Sequence, residues 1–386
     1  MNDRTKRILM IAGAVLIIAG IVIAAIFIST ANNNYPNDVE SGEPAVSYEV
    51  PPQLSESELG TLPNRVEISA NLSDVIFNAQ FLQVPTYEGS GQLVHPQVLF
   101  FEDGFAGFYY LMTFTPYPFF DASHENPSIV GSQDGINWVV PDGLTNPVVG
   151  APEDVARGGH FSDPVMVING DMLELWWRRS VVRVWEDGRF EQDGLHNRIY
   201  RKTTTDLINW TEREIIFDSP YGANHYVSPA VFRDENGLYR VWYVNYDLRF
   251  YVIESYDLLE WTQREEIFLT LGEWGLWHHE INFVNGRFEG LFTSLERAGE
   301  PDWTPVEKPH RLFHVYSDDG LTFSVGSQIL IEQISPELQG MTIHKSSFVL
   351  RDGIYQMYFA MYDQSRHWHT FYFEIAEENL YRLFGD

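Results

Sequence analysis

The sequence has 386 residues, 54 of them acidic and 25 basic, for a formal net charge of −29, with no cysteine and 15% aromatic residues. Acidity this strong excludes a surface that tracks nucleic-acid phosphates, which needs a basic stripe to displace counterions, so nucleic acid is not an expected partner. The absence of cysteine excludes disulfide frameworks, thiolate metal sites and cysteine nucleophiles, while 44% hydrophobic residues supply an ample core.

In chain order, the first feature is an uncharged apolar run over 8–29, preceded by Arg4, Lys6 and Arg7. At ~1.5 Å per residue such a helix crosses a hydrocarbon core of ~30 Å, and the basic flank prefers the cytoplasmic side. The expectation is an uncleaved transmembrane anchor over 1–29, with the rest of the chain extracytoplasmic at the cell membrane. A signal peptide cut near Ala24 and Ala25 is the rival, although its apolar stretch is normally only about 7 to 15 residues. Residues 30–63, rich in Asn, Pro, Ser, Glu and Gly, read as a flexible linker.

The remainder, 64–386, is one unit written five times. HPQVLFFEDG from His95, DPVMVING from Asp163, SPAVFRDENG from Ser228, HEINFVNG from His279 and HKSSFVLRDG from His344 are each a short apolar strand ending at a Gly turn. A strand heavy in Tyr, Phe and Trp follows each one, and Gly turns between such runs signal hairpins. Successive units start 51 to 68 residues apart, room for about four strands each. A second marker recurs in four units: SQDGINW, TTDLINW, SYDLLEW and SDDGLTF share an Asp turn followed by an aromatic. The fifth unit lacks it, so its outer strand is expected from the C-terminal tail or from the segment near Arg65 to Ala70. Five antiparallel four-stranded repeats predict an all-β, five-bladed β-propeller, preceded by one transmembrane helix.

Chain direction places the Gly and Asp turns on one face and the loops after the second strands on the other. Those loops are long, so function is expected on their face. Aligning the first strands sets His95, Asp163, Ser228, His279 and His344 at equivalent positions at the channel mouth, with Glu280 and Lys345 one residue on and His160, His225 and His278 just before. Arg178, Arg366 and the rings of Tyr117, Trp185, Trp277, Trp303 and Trp368 lie on or beside the same face.

Five four-stranded blades, the Asp-Pro of SDPVM, the Ser-Pro of SPAV and the S-x-D-G-x-x-W turn resemble the five-bladed glycoside hydrolases of family 43 and their arabinanase, levansucrase and invertase relatives, over roughly residues 85–375. The resemblance implies catalytic carboxylates on the first strands: an Asp base in blade one, an orienting Asp in blade two and a Glu acid in blade three. Asp163 matches the second, but His95 stands at the base position and Ser228 at the acid position. Hydrolysis therefore has to recruit other groups, with Glu280 as acid, Asp163 as base and Glu125 as the alternative carboxylate.

Substrate contacts are expected from His95, Ser228, His279, His344, Lys345, Arg178, Trp277 and Trp368. The resemblance also suggests a divalent cation, calcium, in the channel, where His95, Asp163, His279 and His344 supply nitrogen and oxygen donors, although no cofactor is strictly required. The expected function is hydrolysis of glycosidic bonds in an extracytoplasmic polysaccharide or oligosaccharide, with the carbohydrate as partner. A non-catalytic carbohydrate-binding or scaffold propeller at the cell surface is the alternative.

Overall fold

A computed structural model describes residues 65–384, apart from 181–182, 185–189, 192–196, 220–224, 246, 273 and 297–309. The expected anchor and linker lie outside the described residues. Among the described residues no helix is long and apolar enough to cross a membrane.

Five four-stranded antiparallel sheets follow one another along the chain. Blade one is Leu93–Phe105, Phe108–Pro116, Ser128–Ser132 and Trp138–Val139. Blade two is His160–Asn169, Met172–Ser180, Asn197–Thr204 and Glu214–Ser219. Blade three comprises Val227–Arg233, Tyr239–Val244, Phe250–Ser255 and Glu265–Ile267. Blade four comprises Trp274–Val284, Arg287–Glu296, Arg311–Ser317 and Ser324–Ile329. In blade five, Thr342–Arg351, Ile354–Tyr362 and Trp368–Ala376 are completed by Ile76–Leu82 from the beginning of the domain.

That last strand corrects the expectation for the fifth blade. Neither 65–70 nor the C-terminal tail supplies the outer strand. Residues 76–82 carry the Ile, Phe and Leu that fit a pleated surface, whereas 65–75 wraps the flank, with the Ser69 N–H donating to the Ile334 carbonyl. The tail instead forms a short helix, Leu380–Phe384, pinned by two 3.0 Å bonds from Arg382 to Asp74.

The Asp marker works as a turn device. In each of the four copies the carboxylate accepts two backbone N–H groups: Asp134 from Ile136 and Asn137, Asp206 from Ile208 and Asn209, Asp257 from Leu259 and Glu260, Asp319 from Leu321 and Thr322. The hydroxyl two residues before it accepts from the residue after it, which is left-handed whether it is Gly135, Leu207, Leu258 or Gly320.

The core is not central. Five apolar clusters fill the wedges between neighbouring blades, around buried Trp176, Trp177, Trp242, Phe359 and Tyr358. Side chains also stitch the inner strands together. Gln97 exchanges two bonds with the Met166 main chain, Ser228 bonds the His279 main chain, Asn282 donates to the Phe348 carbonyl, and Ser347 Oγ accepts from the Val98 N–H.

Farther out, the third or nearby residue of a second strand latches one blade to the next. Tyr239 Oη donates to Glu174 at 2.6 Å, Tyr355 Oη to Glu289 at 2.6 Å, and Tyr110 Oη to Gln356 at 2.9 Å. Burial raises the Glu289 carboxyl, but bonds from His314, Tyr355 and Arg287 outweigh it and hold the group down at about 2. Its stabilisation is therefore present above the ordinary 4.5 of the unfolded chain and is lost as pH falls toward 2.

Tyr355→Phe leaves this buried carboxylate one donor short and is expected to lower the unfolding free energy by about 1–3 kcal/mol. Tyr239→Phe acts alike at a different blade interface, so in urea titrations the double variant should show the sum of the two losses. Strongly non-additive losses would mean that these contacts are not independent latches.

Candidate functional site

Every first strand is irregular near its mouth end. The pairing with the second strand shifts between Val94 and Gln97, Ser162 and Val165, Val227 and Ala230, Leu276 and His278, and Ile343 and Lys345. In blades one to three the two unpaired residues end in proline, whose missing N–H suits a position outside the ladder. The residue before each proline is left-handed: His95 at φ 58°, Asp163 at 50° and Ser228 at 50°. Non-glycine residues pay ~1–2 kcal/mol for that conformation, and a following proline restricts them further. The bulge re-aims His95 and Asp163 into the channel mouth, whereas Ser228 turns to the His279 main chain.

Blades four and five carry only one extra residue, Trp277 and His344, and no proline. This changes the alignment in blade four. His278, not His279, reaches the level of His95, because adjacent strand residues point to opposite faces. The His279 ring instead packs on Phe250 and Phe292 in the wedge between blades three and four, 5.1 and 5.6 Å between centroids. His279 does not join the mouth cluster.

The result is a knot of three imidazoles and one carboxylate. His95 Nε2 lies 3.4 Å from His344 Nε2 and 3.4 Å from Asp163 Oδ1, and His278 Nδ1 lies 3.7 Å from the same Oδ1. One nitrogen from each of His95, His278 and His344 falls within 4.8 Å of the others. Bonds of 2.0–2.1 Å to a tetrahedral cation put neighbouring donors about 3.3–3.4 Å apart, so the two 3.4 Å separations at His95 suit one ion, while His278 would have to draw inward to join them.

Two further observations support that fit. Asp163 Oδ1 and both His278 nitrogens are buried without a hydrogen-bond partner, the state of groups awaiting a ligand. Burial pushes His95 down to about 4 and His278 and His344 well below the usual imidazole value, so all three rings are neutral at pH 7, as metal ligation requires.

The surroundings orient these donors. Arg178 Nε sits 3.2 Å from Asp163 Oδ2 and 3.1 Å from Ser162 Oγ, and its Nη1 reaches Asn197 Oδ1 at 3.1 Å. Burial raises the Asp163 carboxyl, but His95, Arg178, Lys345 and the Ser162 hydroxyl outweigh it and hold the group well below the ordinary carboxylate range. Behind His95, Nδ1 faces Thr115 Oγ1 at 3.2 Å and Glu125 Oε2 at 3.6 Å. Trp277 packs edge-on to His278 and Trp368 edge-on to His344, at 5.1 and 5.2 Å.

The other candidates separate from this group. Ser228 is fully buried and bonds the His279 main chain, and Arg178, 5% exposed, is engaged with Asp163, so both serve the protein's interior. Glu280 and Lys345 are buried, with the Ser347 hydroxyl 3.5 Å from Glu280. Burial raises the Glu280 carboxyl to about 8 against the opposing charge of Lys345. Trp185 and Trp303 lie outside the described residues.

No family model matches the chain. A curated relative, the A type blood N-acetyl-alpha-D-galactosamine deacetylase of Flavonifractor plautii, is 26% identical over 352 residues, which are 78% of this chain. The chain spans 42% of that relative's length. Among solved structures, the N-acetylgalactosamine deacetylase from F. plautii in complex with blood group B trisaccharide superposes with a TM-score of 0.64 at 20% identity, covering 79% of this chain and 96% of that one. A xylan beta-1,4-xylosidase from Bacillus halodurans superposes at 0.50 and 13% identity, covering 74% of this chain and 55% of that one. Both likenesses are to the propeller fold described above.

The strand repeats in the sequence point to His95, Asp163 and His344 but to His279 in place of His278. The available signal was the absence of proline after His279, since all three proline-bearing blades carry the longer bulge. The role of Arg178 was hidden because its partner lies on a neighbouring strand.

Arg178→Met leaves the buried Asp163 carboxylate without its guanidinium. A loss of about 3–5 kcal/mol in unfolding free energy is expected. Guanidinium titration of the metal-free protein measures it, and a loss below 1 kcal/mol would show that the pair does not hold the site together.

Proposed function

We propose that this chain is a divalent-metal-dependent hydrolase of glycans that removes the acetyl group from an N-acetylated sugar. The observation that carries the reading is the cluster of His95, His278 and His344 at the channel mouth, with Asp163 Oδ1 3.4 Å from His95 and 3.7 Å from His278. Three imidazoles and one carboxylate suit a zinc-like ion better than calcium, which prefers six to eight oxygens. The name of the curated relative, a deacetylase of N-acetyl-alpha-D-galactosamine, supports the choice of bond.

A bound cation would supply Lewis acidity, polarising an acyl oxygen and lowering the pKa of a bound water. The chain's own residues do the rest. Arg178 occupies Asp163 Oδ2, so Oδ1 is the oxygen presented to the cation. Thr115 and Glu125 face His95 Nδ1 at 3.2 and 3.6 Å and, against one long 3.5 Å approach of the Asp163 N–H to the same nitrogen, favour the tautomer whose proton sits there and whose Nε2 lone pair points into the cluster. Trp277 and Trp368 brace the other two rings and keep water from their edges. In the overall reaction water adds to the amide carbon, the carbon–nitrogen bond breaks, acetate leaves and the sugar amine takes the proton.

Glycosidic hydrolysis is the second reading, favoured by one observation: the Glu280 carboxyl at about 8 is protonated at neutral pH, as a general acid must be. Its burial beneath the mouth ranks it lower. A carbohydrate-binding propeller without turnover is the third. We further propose, from the apolar run over 8–29 and its basic flank, that the propeller is held outside the cell membrane.

The test is acetate release from N-acetylgalactosamine-terminated oligosaccharides, with reducing-end release followed in parallel. Chelation should abolish acetate release and zinc, manganese or cobalt should restore it. His278→Ala and Asp163→Asn should each lower kcat by more than a hundredfold, His279→Ala by less than tenfold, and Glu125→Gln by an intermediate factor. Chelator-resistant reducing-end release that Glu280→Gln abolishes would replace this reading with the glycosidase.

A further inference from the structure

The loop after the second strand of blade one holds two adjacent aromatics in a conformation that aromatics avoid. Phe119 has φ 52° and ψ 30°, and Phe120 has φ 67°. Such pairs persist only where surrounding contacts over-determine them, and they concentrate at ligand clamps. The contacts are clear. Gln92 Oε1 accepts both the Phe119 N–H at 3.2 Å and the Trp368 N–H at 3.1 Å, clipping the blade-one loop to blade five. The Phe120 ring is packed on Tyr117, Tyr362 and Trp368, at 4.9 to 5.4 Å between centroids, with the Arg366 guanidinium 4.6 Å from its centre.

This accounts for Phe120 but not for Phe119. The Phe119 ring is 41% exposed and meets the protein at the edge of His367, 4.7 Å away, one residue from the Trp368 that braces His344. A core-filling role does not explain an exposed phenyl ring held in left-handed backbone. An apolar ring fixed beside a site for polar glycans is suited to the carbon–hydrogen face of a pyranose.

We infer that Phe119 is a stacking platform for a second sugar ring, one residue away from the ring whose acyl group faces the imidazole cluster, and that it sets the protein's preference for chains over monosaccharides. The inference rests on the glycan reading of the site. The Gln92 clip and the packed Phe120 hold the platform rigid before the ligand arrives, so little side-chain freedom is lost on binding.

Calorimetric binding to the whole metal-loaded protein tests it, with free galactosamine and a galactosamine-terminated trisaccharide as probes, reaction products that undergo no turnover and need no inactivating substitution. Phe119→Ala should weaken the trisaccharide about tenfold and leave the monosaccharide within twofold. Phe119→Gly, which relieves the left-handed backbone, should show the same binding loss with a Tm no lower than that of the parent. Equal effects on both probes, or none, with the parent binding normally, overturn the platform and leave the glycan reading intact. A large fall in Tm for Phe119→Gly makes the ring a structural pin and also overturns it. A parent that holds neither probe overturns both.

Discussion

Everything at the site depends on one strand pairing, that of Ile76–Leu82 with Trp368–Ala376. It closes the ring and thereby sets blade five against blade one. His344 and His95 face each other across that seam with 3.4 Å between their nitrogens, while His278 comes from blade four and Asp163 from blade two. A cluster gathered from four blades exists only if the angular spacing of the whole ring is fixed. The seam is accordingly well fastened, by Ser347 to the Val98 N–H, by Tyr110 to Gln356 and by Gln92 to Trp368.

The mouth of the channel is costly for the fold. Three pre-proline residues sit in left-handed backbone, and the neutral His278 imidazole beside the buried Asp163 carboxylate lacks hydrogen-bond partners. None of this helps the chain fold. It is offset elsewhere, by five wedges of large aromatic side chains and by buried Glu–Tyr latches between blades. The division of labour is radial: strain and polarity near the axis, packing energy farther out.

How much of this was readable from the sequence follows the same radius. The blade count came from the Gly and Asp turns, because local hydrogen bonds such as those of Asp134 and Asp206 require particular residue types at fixed spacing. His95, Asp163 and Ser228 were aligned correctly because each precedes a proline. His278 was set aside, since a bulge one residue shorter leaves no comparable mark, and the choice between adjacent histidines is a choice between opposite faces of a strand. The closing strand was misplaced by some ten residues because 65–82 alternates weakly and only its partner on blade five decides the register. Arg178 reads in the sequence as a substrate contact at the start of a long loop, and nothing local discloses a carboxylate on the neighbouring strand.

The closing pair also has a consequence for how the molecule is made. Ile76 meets Ile375, so the two strands are separated by nearly the whole domain, and the earlier one has no sheet to join until the later one has left the ribosome. From its emergence until Ile76–Leu82 docks on it, the third strand of blade five is an open edge, able to recruit a strand from another molecule. The formal charge of −29 gives such half-built rings a mutual repulsion. The acidity of this chain is thus a safeguard during synthesis as well as a property of the finished surface.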